Sequence, residues 1–288
     1  DGAAQTGVQL PIALHIVIAQ ADIRHAALSV RHAEGADGRA VGQQLHEGEN
    51  CLHGGNEGFH KKLWDFACAE DAVTFTYTSP DGEEGFPGAV RVEVTYRLAD
   101  STLTIEYRAA AEKDTVVNLT NHAYFNLGGH DSGTVDDHVL TVRADHYTPT
   151  DGENIPTGQM AEVEGTLLDL RAPTEMKSRL RNVSLNGGHG YDHNYVLNAG
   201  QAPAAELWCP ATGIGMEMTT SMEGMQLYTA GWLTERTGKQ GTLYGPFHGI
   251  CLETQRFPDA VNHAAFPSPI LRAGVTYREN TLYRFFVR

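Results

Sequence analysis

The first 58 of the 288 residues contain no aromatic side chain. All 24 Phe, Trp and Tyr residues lie at or after Phe59, although uniform scatter would put about five of them earlier. Helical periodicity is lacking as well: no stretch keeps apolar residues at i, i+3, i+4 and i+7 for three turns, which excludes a helical bundle. Long hydrophobic runs are missing too. The longest near the N-terminus, Pro11-Ile-Ala-Leu-His-Ile-Val-Ile-Ala19, is interrupted by His15 and has no basic leader, so it reads as neither a membrane span nor a signal peptide. Positive charge is scarce, with 21 Lys and Arg against 36 Asp and Glu and a net charge of −15. Such a surface repels nucleic-acid phosphates and anionic membranes, leaving neutral small molecules as the easier partners.

Cysteine is sparse and widely spaced. Cys51, Cys68, Cys209 and Cys251 form no Cys-x-x-Cys pair, which argues against a zinc ribbon or a thioredoxin-like site. Reduced, buried thiols in a cytoplasmic protein are expected. Also absent are the Gly-x-Ser-x-Gly elbow, the dinucleotide Gly-x-Gly-x-x-Gly, the phosphate loop and a Cys–His nucleophile pattern. Covalent and cofactor chemistry therefore recede, and no cofactor is expected.

What the chain does have is strand signal. Val73, Phe75 and Tyr77 share one face of a first strand, and Val90, Val92, Val94, Tyr96 and Leu98 alternate with Arg91, Glu93, Thr95 and Arg97. After the turn Ala99-Asp-Ser-Thr102 the alternation resumes as Leu103, Ile105 and Tyr107, predicting a long hairpin with one wet face. Further strands are predicted at 138–144, 193–197, 205–209, 214–220, 225–230 and 281–287, with a second hairpin around Pro210-Ala-Thr-Gly213. Many strands with little helix indicate an all-β fold, a large antiparallel β-sandwich or a barrel. With no repeat and no Pro/Ser/Gly-rich linker, residues 1–288 read as one domain. Residues 1–50 fit it poorly. Beyond a buried strand at 12–19 they show no period, and two readings stay open: a peripheral cover, or a reading-frame error in the source.

Four polar clusters interrupt the strands. In Leu52-His-Gly-Gly-Asn-Glu-Gly-Phe59 the glycines let backbone approach a ligand and leave His53 uncovered, although a turn histidine is more often just solvated. Asn118-Leu-Thr-Asn-His-Ala-Tyr-Phe-Asn-Leu-Gly-Gly129 sets His122 among polar side chains that need partners or a ligand inside a core strand. A hydrogen-bonded core histidine is the bland alternative. Gly187-Gly-His-Gly-Tyr-Asp-His-Asn-Tyr195 places His189, Asp192 and His193 close together, but the glycines exclude the helical presentation of a zincin-type metal pair. Asp192 makes better sense as a charged acceptor for sugar hydroxyls. Last, Cys251-Leu-Glu-Thr-Gln-Arg-Phe-Pro-Asp-Ala-Val-Asn-His263 sets Glu253 at the end of an apolar run, where poor solvation raises proton affinity towards that of a usable base. A salt-bridged structural glutamate is the alternative. Together the clusters supply acid/base groups lined with amides and aromatics, suited to a neutral polyol.

In this order the motifs resemble the aldose 1-epimerases, or galactose mutarotases, over about 51–288. The resemblance rests on Leu52-His-Gly-Gly with Gly58-Phe59, Asn118-Leu-Thr-Asn-His-Ala-Tyr-Phe-Asn-Leu127, Tyr147-Thr-Pro149 with Ile155-Pro-Thr-Gly158, Tyr191-Asp-His-Asn194 and Leu252-Glu-Thr-Gln-Arg-Phe-Pro-Asp-Ala260. It implies a β-sandwich with a cleft across one sheet, Glu253 as general base and His122 as general acid. It also implies His53, Asp192, Asn121 and Tyr124 as sugar contacts, with the Tyr228-Thr229 segment a weaker match. The implied reaction is cofactor-free interconversion of the anomers of galactose or glucose, by a monomer or homodimer with no metal. The alternatives are a hexose-6-phosphate epimerase and a non-catalytic sugar-binding protein. One departure lies upstream: the family's Asn-Arg pair does not occur before His53, so its substrate-binding arginine is unassigned, with Arg24 and Arg31 only loose matches.

Overall fold

The structure, a computed structural model, describes residues 50–182 and 184–288. The strand expected at 12–19, the open question about residues 1–50 and the arginines Arg24 and Arg31 lie outside the described residues. Two antiparallel sheets dominate the rest. The larger runs, in spatial order, through Asp65–Cys68, Ala72–Ser79, Val90–Ala99, Thr102–Ala111, Thr276–Val287, Ile214–Thr220, Ala205–Trp208, Val139–Val142 and Thr174–Glu175. The smaller runs through Cys251–Gln255, Gly224–Tyr228, Asp192–Val196, His146–Tyr147 and Ala161–Glu162. Among the described residues the helices are 3₁₀ turns of three residues each, and none is long and apolar enough to cross a membrane.

Local sequence explains the long hairpin. Val90, Val92 and Val94 are buried while Arg91 is exposed, so one face of Val90–Ala99 builds core and the other meets water. Ala99 pairs with Thr102, leaving Asp100 and Ser101 as the turn, and Asp100 takes the positive φ that such a turn needs. The final strand extends further back than sequence alternation suggests, to Thr276, because its Thr276–Arg284 portion pairs with Thr102–Ala110.

The sheets meet over a core that includes Leu140, Leu207, Met216 and Met218 from the larger sheet and Tyr195, Met225, Leu227 and Leu252 from the smaller. A hydrogen bond also ties them: the Tyr283 hydroxyl donates to the Leu252 carbonyl at 2.9 Å. That bond fixes the backbone beside Glu253. Of the cysteines expected to be buried, Cys51, Cys209 and Cys251 are, whereas Cys68 is exposed, its strand being the edge of the sheet among the described residues; none forms a disulfide.

Candidate active site

Strand register assembles the site. Gln226 is directly opposite Glu253, Tyr228 opposite Cys251, and Asp192 opposite Tyr228. Directly opposed residues share a face, so Asp192, Asn194, Gln226, Tyr228, Cys251, Glu253 and Gln255 all stand on one side of the smaller sheet. Their neighbours Leu227, Leu252 and His193 point to the other side. Glu253 sits in the middle of Cys251–Gln255, not at the strand end that its apolar run suggests, because pairing with Gly224–Tyr228 continues through Gln255.

His122 arrives from the segment alongside. Phe125 and Ile250 form an antiparallel bridge, exchanging hydrogen bonds of 2.8 and 2.9 Å. Counting three residues back from Phe125 and three on from Ile250 brings His122 level with Glu253. The side chains meet: His122 Nε2 lies 3.4 Å from Glu253 Oε1, with the two residues 6% and 3% exposed. Tyr124 stacks on the His122 ring at 5.0 Å between centroids, and Tyr228 and His53 approach it edge-on, each at 5.9 Å. Tyr124 fits there because residue 249 is glycine; a Cβ at Gly249 would lie 2.9 Å from Tyr124 Cβ.

His53 reaches this group from a strained turn. His53, Gly54 and Gly55 all have positive φ, a conformation glycine adopts freely and histidine occasionally. Glu84 holds the turn, accepting hydrogen bonds from the Asn56 and Glu57 amides at 2.9 and 3.1 Å.

Asp192 accepts a 2.7 Å hydrogen bond from Gln226 Nε2. Burial pushes its pKa up, partly offset by that bond. Gln255 donates to Asn194 Oδ1 and Asn194 donates to Thr148 Oγ1, so the amides beneath the cleft form a connected network. Asp192, Asn194 and Gln226 line a cavity of about 150 Å³ together with Leu52, Thr150, Asn154 and Pro258.

Asn121 stands apart from the other expected sugar contacts. Its amide donates to the Tyr283 hydroxyl at 3.1 Å. It opens instead on a separate cavity of about 550 Å³ with apolar walls including Val73, Phe75, Leu103 and Ile105. Asn121 thus steadies Tyr283, which holds the Leu252 carbonyl. Strand alternation separates Asp192 from His193, whose pKa burial lowers to about 4. His189 stacks on Trp232 at 3.5 Å, so these three residues do not converge. Gln226 and the amide network escaped sequence reading; the alternation Gly224, Gln226, Tyr228 was the available signal, a polar residue where a buried strand ordinarily carries an apolar one.

The fold and site together are a β-sandwich presenting a buried imidazole–carboxylate pair beside a polar cleft, the make-up of an enzyme for small polar molecules. A sequence profile described as aldose 1-epimerase matches residues 26–284. The galactose mutarotase of Homo sapiens is 43% identical over 254 residues, covering 87% of this chain and 73% of that one. The aldose 1-epimerase of Haemophilus influenzae is 38% identical over 255 residues, covering 86% and 75%. Among solved structures, a GalM/aldose epimerase homologue from C. elegans superposes with a TM-score of 0.82 at 27% identity, covering 92% of this chain and 81% of that one. The chain belongs to the aldose 1-epimerase family.

Proposed function

We propose that this protein interconverts the α and β anomers of free aldohexoses such as galactose and glucose, with Glu253 as general base and His122 as general acid. The observation that carries this reading is the 3.4 Å His122–Glu253 pair. In a pyranose the anomeric hydroxyl and the ring oxygen are bonded to the same carbon, so an acid and a base serving both must be neighbours. Glu253 takes the proton from the anomeric hydroxyl; the oxygen's electron pair forms the carbonyl while the C1–O5 bond breaks, and O5 takes a proton from His122. Rotation about C1–C2 presents the other face. As O5 attacks C1 its proton returns to His122, and Glu253 returns one to O1.

No redox change occurs, so the balanced reaction requires no electron carrier. His53 and Tyr124 would contact the sugar around the acid, and Asp192 would accept from its hydroxyls with the geometry set by Gln226. Among the described residues, the lining of the 150 Å³ cavity includes Glu153 and Asp192 but no Lys or Arg, which favours a free sugar over a hexose phosphate. Polarimetry with fresh α-D-galactose and α-D-glucose tests the proposal: optical rotation relaxes faster than in buffer, and glucose 6-phosphate competes weakly. A relaxation rate equal to that of buffer overturns it.

A further inference from the structure

We infer that the His122–Cys251–Glu253 cluster is a binding site for thiophilic divalent cations, zinc above all, and that such a cation inhibits by competing with the sugar. The strand Cys251–Gln255 puts residues 251 and 253 on one face, and the Phe125–Ile250 bridge brings His122 beside them. One imidazole nitrogen, one sulfur and one carboxylate oxygen then lie within 4.8 Å of one another. Among the described residues no other His, Cys, Asp and Glu group of three meets that condition.

Geometry and chemistry agree on the ion. Zinc binds imidazole and carboxylate at about 2.0–2.2 Å and thiolate at about 2.3 Å, so neighbouring donors in a tetrahedral site lie roughly 3.3–3.6 Å apart. His122 Nε2 and Glu253 Oε1 are already 3.4 Å apart, at the distance such a site requires. With all three donor atoms within 4.8 Å of one another, the sulfur needs to move by roughly 1.4 Å at most. A mixed N, S and O donor set suits zinc, cobalt and cadmium and disfavours magnesium and calcium, which take oxygen ligands. Three protein donors leave a fourth position for water. Binding releases the thiol proton to solvent, so affinity rises with pH. A cation held there occupies the proposed acid and base together; that consequence, unlike the binding itself, rests on the functional reading above.

Cobalt(II) titration of the purified protein tests binding without reference to activity. A cobalt–thiolate charge-transfer band is expected at one equivalent, bleached by zinc and diminished by galactose, and absent from Cys251→Ser and Cys251→Ala. The thiolate band distinguishes this cluster from histidine-only binding, a needed distinction in a chain with 14 histidines. In polarimetry, the zinc concentration that halves each protein's own rate rises about tenfold or more in Cys251→Ser. Absence of the band from the wild-type protein, or its survival in both variants, overturns the inference. A band in a protein without mutarotase activity leaves the cation site standing and refutes the functional reading; normal activity with no band does the reverse.

Discussion

Gln226 donates to Asp192 at 2.7 Å while standing directly opposite Glu253, so one amide fixes the spacing between the proposed sugar-holding carboxylate and the proposed base. Burial raises the pKa of Asp192, so ionising it there carries a cost. A carboxyl whose folded pKa is raised contributes most to stability when protonated, below its unfolded pKa, and loses that contribution as pH rises through the folded value. Above that folded value the raised pKa no longer contributes to stability. Asp192→Asn keeps an acceptor for Gln226 and removes the charge, so its Tm at pH 7 should match or exceed that of the wild type. Its KM for galactose should rise roughly tenfold, as charge-assisted hydrogen bonds become neutral ones. A lower Tm with unchanged KM would reverse this account.

Glu253→Gln removes the proposed base while preserving side-chain size and an amide that His122 can still meet. A positioned acid or base contributes roughly 10²–10⁴ in rate, and the variant should fall to the rate of buffer with its circular dichroism intact. A near-normal polarimetric rate would remove Glu253 from the mechanism.

For His122→Asn the loss should be smaller and still measurable, because water can replace an acid more readily than a buried base. Its pH–rate profile should also lose the limb that His122 supplies. An unchanged profile would count against the acid role.

Much of this arrangement was legible in the sequence, for reasons that also mark its limits. Period-two alternation located the hairpin Val90–Ala99 and Thr102–Ala111 together with its turn, because one wet face forces polar residues outward. The same rule separates Asp192 from His193, but only once the direction of each face is known. Asn121, read as a sugar contact from its motif, instead meets Tyr283 and lines a separate cavity. Short strands such as His146–Tyr147 and Ala161–Glu162 carry too few residues to show any period. Gln226 had no motif around it; its partners come from other strands, and pairing between strands is a property of register that local sequence does not encode.

The thiols should differ sharply in reactivity. Cys68 lies exposed on the edge strand, whereas burial, reinforced by nearby Glu84, pushes Cys51 up to about 11. Under mildly alkaline native conditions a bulky maleimide should modify one thiol quickly, and Cys68→Ser should abolish that fast phase. Peptide mapping of the labelled protein checks the assignment; fast labelling at Cys51 would contradict its burial.

His138 predicts how the fold responds to acid. It is 2% exposed, and its Nε2 accepts a 2.9 Å hydrogen bond from the Leu127 amide, a role only a neutral ring can fill. Burial lowers its pKa from 6.5 to about 4. A histidine depressed in this way contributes stability that is fully present above its unfolded pKa and is lost as pH falls through the folded value. The window is therefore about pH 6.5 to 4, and the loss at its lower end is about 3 kcal/mol for this one residue. His193, also lowered to about 4, adds to it in the same window. Replacing His138 with Gln leaves an oxygen to accept from Leu127 and removes the titration. Chemical denaturation at a series of pH values should show the wild type losing stability steadily below pH 6.5 and His138→Gln losing distinctly less. Parallel curves for the two proteins would mean that His138 is not buried as a neutral acceptor. The Leu127 amide would then have to find its hydrogen bond elsewhere, in the segment that follows His122 and Tyr124.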